Sequence, residues 1–213
     1  MKFGSAKIGV AAVLVATLLA LMSVPAHAVL MTADPDAASD MDILNNAFAG
    51  VTLSAIVGNT GGNVYARNDG AATTGSRSFG NDITTGQVAN IVWFEAGFSN
   101  TDGPVLRADF SSLTDFVSID INNQDGFDAG FLRAFDINDN LLVEDTSGVS
   151  GAGFETLTVS TAGPSIAYIL ASGNSAQDSV HLDNLRFNVI PEPAAAMLFV
   201  SGLIGLGLSR RRR

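Results

Sequence analysis

Val105-Leu106-Arg107-Ala108-Asp109-Phe110 and, after a short gap, Phe116-Val117-Ser118-Ile119-Asp120-Ile121 decide the fold class of this chain. In the first stretch Val105, Arg107 and Asp109 alternate with Leu106, Ala108 and Phe110; in the second, Val117, Ile119 and Ile121 point one way and Ser118 and Asp120 the other. Successive side chains leave opposite faces of a pleated strand, so a period of two marks a half-buried β-strand. Outward from this pair, residues 50–57 are rich in β-branched side chains, and further strands are expected at 63–66 and 90–96. Segments 130–137 and 141–144 flank Asn138-Asn140 through Asp139, side chains that tolerate left-handed backbone, which is the pattern of a hairpin. Residues 154–161, 166–171 and 179–189 complete the set. About ten short strands separated by turn clusters, with no helical periodicity between them, predict an antiparallel sandwich or barrel. In the last strand Val180 and Leu182 share one parity while Leu185, Phe187 and Val189 share the other. Either both faces are buried or a bulge at Asp183-Asn184 restores the register, and the bulge is the favoured reading.

The two ends of the chain read differently. Lys2 and Lys7 lead into an apolar run over 8–22, and Ala26-His27-Ala28 supplies the small-x-small pattern ahead of a cleavage point. Residues 1–28 are therefore expected to be a secretory signal peptide, cut by signal peptidase after Ala28. At the other end Pro191-Glu192-Pro193 precedes an uncharged run over 194–209 and the terminal Arg210, Arg211, Arg212 and Arg213. A helix over that run would span roughly 24 Å, slightly short of a hydrocarbon core but able to enter it, with the arginines held on the cytoplasmic side. Pro191 and Pro193 fix φ and remove backbone donors, which makes a stiff collar between that helix and the fold before it. One reading of the tail is a plain membrane anchor with a basic flank. Its order of Pro-Glu-Pro, short glycine-containing apolar helix and arginine run also resembles the sorting signal of PEP-CTERM proteins. That resemblance implies export by a Gram-negative bacterium that makes exopolysaccharide, and recognition and cleavage near the motif by an exosortase, a membrane-embedded cysteine-type transpeptidase. The chain would sit in the inner membrane during sorting and afterwards at the cell surface or in the extracellular matrix.

Both apolar ends inflate the mean hydropathy of +0.31 and are set aside for the body, 29–190, whose 162 residues are the first 190 less the 28 of the leader. That suffices for one domain with a substantial core. Lys2, Lys7, the four terminal arginines and Glu192 lie outside the body, which leaves five arginines against 20 acidic residues, a net charge of −15. Such a field repels nucleic acid and anionic lipid, and fits cation binding or solubility in a hydrated matrix. With no cysteine in a chain routed to an oxidising compartment, the fold must rest on its core. Residues 29–47 hold Asp34, Asp36, Asp40 and Asp42 among few bulky side chains, and are expected to be a flexible acidic lead-in to a domain over 48–190, with the sorting signal over 191–213.

Leu106-Arg107-Ala108-Asp109-Phe110, Val117-Ser118-Ile119-Asp120, Leu132-Arg133-Ala134-Phe135-Asp136, Phe154-Glu155-Thr156-Leu157-Thr158-Val159 and His181-Leu182-Asp183-Asn184-Leu185-Arg186-Phe187 together resemble the jelly-roll domain common in PEP-CTERM proteins, which is similar to lectin-like and carbohydrate-binding modules. The resemblance implies an all-β, antiparallel jelly-roll β-sandwich, flanked here by an N-terminal signal helix and a C-terminal transmembrane helix. It also implies a structural calcium at Asp183, because a carboxylate of the final strand commonly ligates one in jelly-roll binding modules. Calcium takes about six to eight oxygens, so carbonyls and a second carboxylate, expected from the acidic lead-in, would have to join it. The alternative is that Asp183 and Asn184 merely hydrogen-bond the bulged backbone. Two other segments have the oxygen spacing of calcium loops. The one starting at Asp120 places Gly126 one position late, and the one starting at Asp136 has Leu141 for the glycine and Ser147 for the acid, so both read as turns.

Catalysis is poorly supplied. His181 is the only histidine beyond the leader, and the body has neither cysteine nor lysine, so the usual nucleophile and base pairings are missing and no catalytic residue is assigned. His181 precedes Asp183 by two positions but is expected to be a partly exposed strand residue. Carboxylates always permit a glycosidase pair, yet nothing singles one out. Trp93, Tyr65 and Tyr168 are the body's only tryptophan and tyrosines; Trp93, between Val92 and Phe94, is expected in the core and not on a sugar platform. The leading expectation is a non-enzymatic, exported protein of the cell surface or exopolysaccharide matrix, with exopolysaccharide as its partner. A carbohydrate-binding module and an envelope glycoside hydrolase are the alternatives.

Overall fold

The alternation that decides the fold class carries into the structure, a computed structural model that describes residues 28–57, 60–68, 72–82, 98, 104–123, 129–147, 153–173 and 180–189. The described residues form strands β1 (Val29–Ala33), β2 (Val51–Val57), β3 (Thr60–Gly62), β4 (Val64–Arg67), β5 (Ser78–Asn81), β6 (Val105–Thr114), β7 (Phe116–Asn123), β8 (Gly130–Phe135), β9 (Leu141–Thr146), β10 (Gly153–Ser160), β11 (Ile166–Gly173) and β12 (His181–Val189), with a single 3-10 turn at Pro35–Ala37. They make two six-stranded sheets. The first runs β10-β7-β12-β5-β4 with β1 also on β12, and the second runs β3-β2-β6-β11-β8-β9. Every ladder is antiparallel. The body is an all-β, two-sheet antiparallel sandwich, as its sequence predicts. The expected signal helix over 1–28, the Trp93 strand and the helix over 194–209 lie outside the described residues, apart from Ala28 itself. Among the described residues no helix is long and apolar enough to cross a membrane.

One core lies between the sheets. Leu53, Leu106, Leu132 and Ile169 enter it from the second sheet, and Val117, Ile119, Ile121, Leu182 and Leu185 from the first. Burying each such side chain is worth about 1.5–3 kcal/mol, and in a cysteine-free chain this term must carry the fold. Ser118 and Asp120, expected to face water, are nevertheless buried. They lie on the outer face of β7, where the side chains of Thr156, Asn184 and Arg186 gather on Asp120.

The bulge in β12 is where the parity break puts it. Asp183 pairs with Asp120 and Arg186 with Ser118, so one strand advances three residues while the other advances two. Asn184 takes the left-handed conformation, φ 47°, which its short polar side chain tolerates. The extra residue returns Leu185 and Phe187 to the face that Leu182 occupies, and all three are buried.

Two expectations need correction. The segment 29–47 is docked: β1 pairs with β12 from Val29 opposite Val189 to Ala33 opposite Leu185, and Ala33 and Leu44 are fully buried. Its aspartates are tethered through hydrogen bonds both local and distant in the chain. The Asp34 carboxylate caps the 3-10 turn by accepting from Asp36 N–H, and Asp40 accepts from Asn68 N–H. Strand β5 goes unread in the sequence because Ser78-Phe79-Gly80-Asn81 shows no apolar alternation; all four residues are buried, and Gly80 leaves the room that the Arg67 stem fills.

Candidate functional site

The outward residues of the second sheet fall into register across its strands. Leu106 and Ala108 of β6, Ile169 and Ala171 of β11, and Leu132 and Ala134 of β8 belong to the core, so Arg107, Asp109, Tyr168, Leu170, Arg133 and Phe135 project from the opposite face. The ladders place Thr52, Asp109, Tyr168, Phe135 and Leu141 in one row across β2, β6, β11, β8 and β9. A second row runs Ser54, Arg107, Leu170, Arg133, Glu144. At an inter-strand spacing of about 4.8 Å, five strands make rows roughly 19 Å long.

These side chains organise one another. The Arg107 guanidinium lies 3.8 Å over the Tyr168 ring, and Tyr168 stacks on Phe135 with centroids 4.9 Å apart and planes 5° apart. The Arg133 guanidinium lies 4.1 Å over Phe131. Arg107 donates to Asp109 through Nε at 2.8 Å and Nη2 at 2.6 Å, and Arg133 Nη2 donates to Glu144 at 3.1 Å. The Tyr168 hydroxyl donates to Asp139 Oδ1 in the β8–β9 turn at 3.0 Å. Hydrogen bonding to Asp109 holds the Arg107 pKa above its ordinary value against the opposing effect of burial, while burial and the bond to Asp139 push the Tyr168 phenol up. Tyr168 is only 7% exposed. The rings are thus supports that hold guanidinium planes flat, and not an open aromatic platform.

On the first sheet, Asp183 is fully buried. Its Oδ2 accepts from Thr73 N–H at 2.9 Å, Thr73 Oγ1 at 2.8 Å and Thr74 N–H at 3.2 Å, and its Oδ1 accepts from Asn184 N–H. Asn184 Nδ2 donates to Thr73, Thr74 and Asp120. Asp120 takes Arg186 across both oxygens, at 2.9 and 2.8 Å, and also accepts from Thr156. Burial pushes the Asp183 carboxyl up despite its hydrogen bonds; for Asp120 burial acts the same way, but the bonds from Arg186, Thr156 and Asn184 outweigh it and hold the pKa down.

This donor set does not fit the calcium expected at Asp183. N–H groups and a hydroxyl donor surround the carboxylate where a cation needs oxygens, and the other carboxylate of the cluster is neutralised by a guanidinium. Asp36, from the segment expected to supply a further ligand, instead accepts from Ser76 N–H and Arg77 N–H. Among the described residues no group of three His, Cys, Asp or Glu side chains is placed to hold a metal. The arrangement is a strap: Asp183 and Asp36 tie down the segment from Thr73 to Arg77 over β12.

His181, expected to be partly exposed, is buried. Tyr65 donates to Asp82 and serves a polar network with Asn63. The turn reading of Asp136-Asn140 is supported: Asp136 accepts from the N–H groups of Asn138 and Asn140. Ala26, Trp93, Pro191, Glu192, Pro193 and Arg210 to Arg213 lie outside the described residues. The sequence does not disclose the paired rows of the second sheet; the outward parity of Arg107 and Asp109 is their signal in it.

No protein-family model matches the chain, and no curated protein matches it. Among solved structures it is similar to the K2 cleaved adhesin domain of Lys-gingipain, at 13% identity and a TM-score of 0.44 over 75% of this chain and 99% of that one. It is similar also to a family 29 carbohydrate binding module from Piromyces equi, at 6% and 0.41 over 76% and 90%. A third is the CBM22-1 xylan-binding domain of Paenibacillus barcinonensis Xyn10C, at 13% and 0.40 over 75% and 93%. These are likenesses of β-sandwich bodies and assign no ligand to this chain.

Proposed function

We propose that this chain is a non-enzymatic protein of the cell surface or exopolysaccharide matrix whose jelly-roll-type sandwich binds carbohydrate on the outer face of the second sheet. In this reading the leader at 1–28 exports it, and an exosortase recognises Pro191-Glu192-Pro193 and removes the tail. The observation that carries the binding role is the pair of five-residue rows. Sugars offer hydroxyls around a ring with apolar C–H faces. Asp109 and Glu144 can accept from hydroxyls, Arg107 and Arg133 can donate to them from planes fixed by ring contacts, and Leu170 and Phe135 offer apolar surface between. The row carboxylates Asp109 and Glu144 are each held by a guanidinium, which suits binding. Asp183, whose carboxyl burial raises as a general acid requires, is sealed under Thr73 and Thr74.

Affinity electrophoresis of the purified chain in gels containing exopolysaccharide of the exporting host tests this. Retardation is expected, and Arg107→Ala with Arg133→Ala should weaken it about tenfold or more, equivalent to about 1.4 kcal/mol. Glu155→Gln, on the exposed β10 of the other sheet, should leave it unchanged. Equal retardation of all three proteins, or of none, would overturn the assignment.

A further inference from the structure

We infer that the carbohydrate taken by this face is an uncharged one, a neutral polysaccharide and not a polyuronate or other anionic glycan; the inference rests on the carbohydrate-binding reading above. Two of the body's five arginines lie in the rows, and a basic pair on so acidic a protein would ordinarily suggest an anion site. Each is already committed. Arg107 is bound to Asp109 through both Nε and Nη2, and Arg133 to Glu144. Their side chains are about one third exposed, so a ligand reaches the pairs and not isolated cations.

The surroundings add only negative charge. Asp139 accepts from Tyr168, the middle member of the first row, and Asp136 organises the same turn. An incoming carboxylate would have to displace Asp109 or Glu144 from its guanidinium and then sit among these acids, losing by repulsion what it gained. A hydroxyl meets no such conflict. It can donate to a carboxylate oxygen and accept from a guanidinium hydrogen while the ion pair stays whole, and Arg107 Nη1 stands outside the pairing with Asp109. The apolar members Leu170, Phe135 and Leu141, together with Ile137 at the turn, 79% exposed, face C–H surface more readily than a charged substituent.

The test compares the chain on glucomannan and xylan, as neutral polymers, with alginate and polygalacturonate, as polyuronates, at low salt and at about 1 M NaCl, where exposed charges are screened within a few ångströms. The neutral polymers should retard the chain, with affinity changing less than about twofold between the two salts, and the polyuronates should not. Asp109→Asn with Glu144→Gln, which frees both guanidinia, should gain about tenfold or more in polyuronate binding, and high salt should abolish that gain. Preference of the unaltered chain for polyuronate, equal binding of both classes, or a double variant that stays folded and gains nothing would each overturn the charge class while leaving carbohydrate binding intact. No binding of any polymer by the folded chain would overturn the carbohydrate reading and this inference with it.

Discussion

Asp183 reaches no water, so the effect of losing it follows from what it accepts. Alanine there leaves Thr73 N–H, Thr73 Oγ1, Thr74 N–H and Asn184 N–H without the carboxylate they donate to. Thr74 is exposed and regains water, so a loss of about 1–3 kcal/mol in urea unfolding is expected, not the sum of four buried orphans. At the next residue two terms can be separated. Asn184→Gly keeps the positive φ but removes the bonds to Thr73, Thr74 and Asp120, whereas Asn184→Ala removes both, so the alanine variant should be less stable by about 1 kcal/mol. Equal midpoints would show that the bulge carries no backbone strain. Acid titrates this cluster in two senses. Asp120 has a lowered folded pKa, so its stabilisation is present above the ordinary value of 3.8 and is lost as pH falls through the folded value. Asp183 has a raised one, so its contribution is full below 3.8 and is lost as pH rises through the folded value. Asp120→Asn should therefore lower stability at neutral pH and flatten the decline below about pH 4, while Asp183→Asn should flatten the decline on the rising side; unfolding midpoints across pH 2–8 read both.

Whether 29–47 is a lead-in or part of the sandwich is decided at the level of the strand. Ala33 is fully buried where β1 meets Leu185, while Val29 at the start of the same strand is 52% exposed. Ala33→Asp should cost about 3 kcal/mol or more, and Val29→Asp almost nothing; two neutral outcomes would mean that β1 does not stay docked. The sequence hides this strand because its five residues are followed by aspartates whose partners, such as Asn68 and Ser76, are distant in the chain. Strand β5 hides for a different reason: its burial comes from neighbours on both faces, and a buried serine, glycine and asparagine carry no periodic signal. By contrast β6, β7, the β8–β9 hairpin and the β12 bulge are legible, since each rests on local parity or turn chemistry. The face proposed to bind is legible only in halves. Parity turns Arg107 and Asp109 outward, but that Tyr168 and Phe135 stand beside them follows from the order β6-β11-β8, a pairing of strands far apart in sequence that no local pattern encodes.

At the scale of the molecule, the pairing of β1 with β12 has a topological consequence. Val29 is opposite Val189, so the first strand of the sandwich starts beside the point where its last strand ends. Under the proposed export route this is what a doubly tethered precursor needs. The basic start of the leader and the arginine tail would both stay cytoplasmic, which puts residues near 28 and near 191 on the exported side together. An antiparallel pair supplies adjacent points without stretching the fold, and the Pro191-Pro193 collar would begin almost directly after the last ladder bond. Cutting at the collar would then release an intact sandwich, because β12 is complete at Val189. Expression in a Gram-negative host with and without its exosortase, followed by intact-mass measurement, tests this. Loss of residues 194–213 only when the enzyme is present, from a product with unchanged unfolding midpoint, is the expected result. A tail retained in both hosts would sink the sorting mechanism and leave a membrane-tethered sandwich whose carbohydrate must be sought in the periplasm.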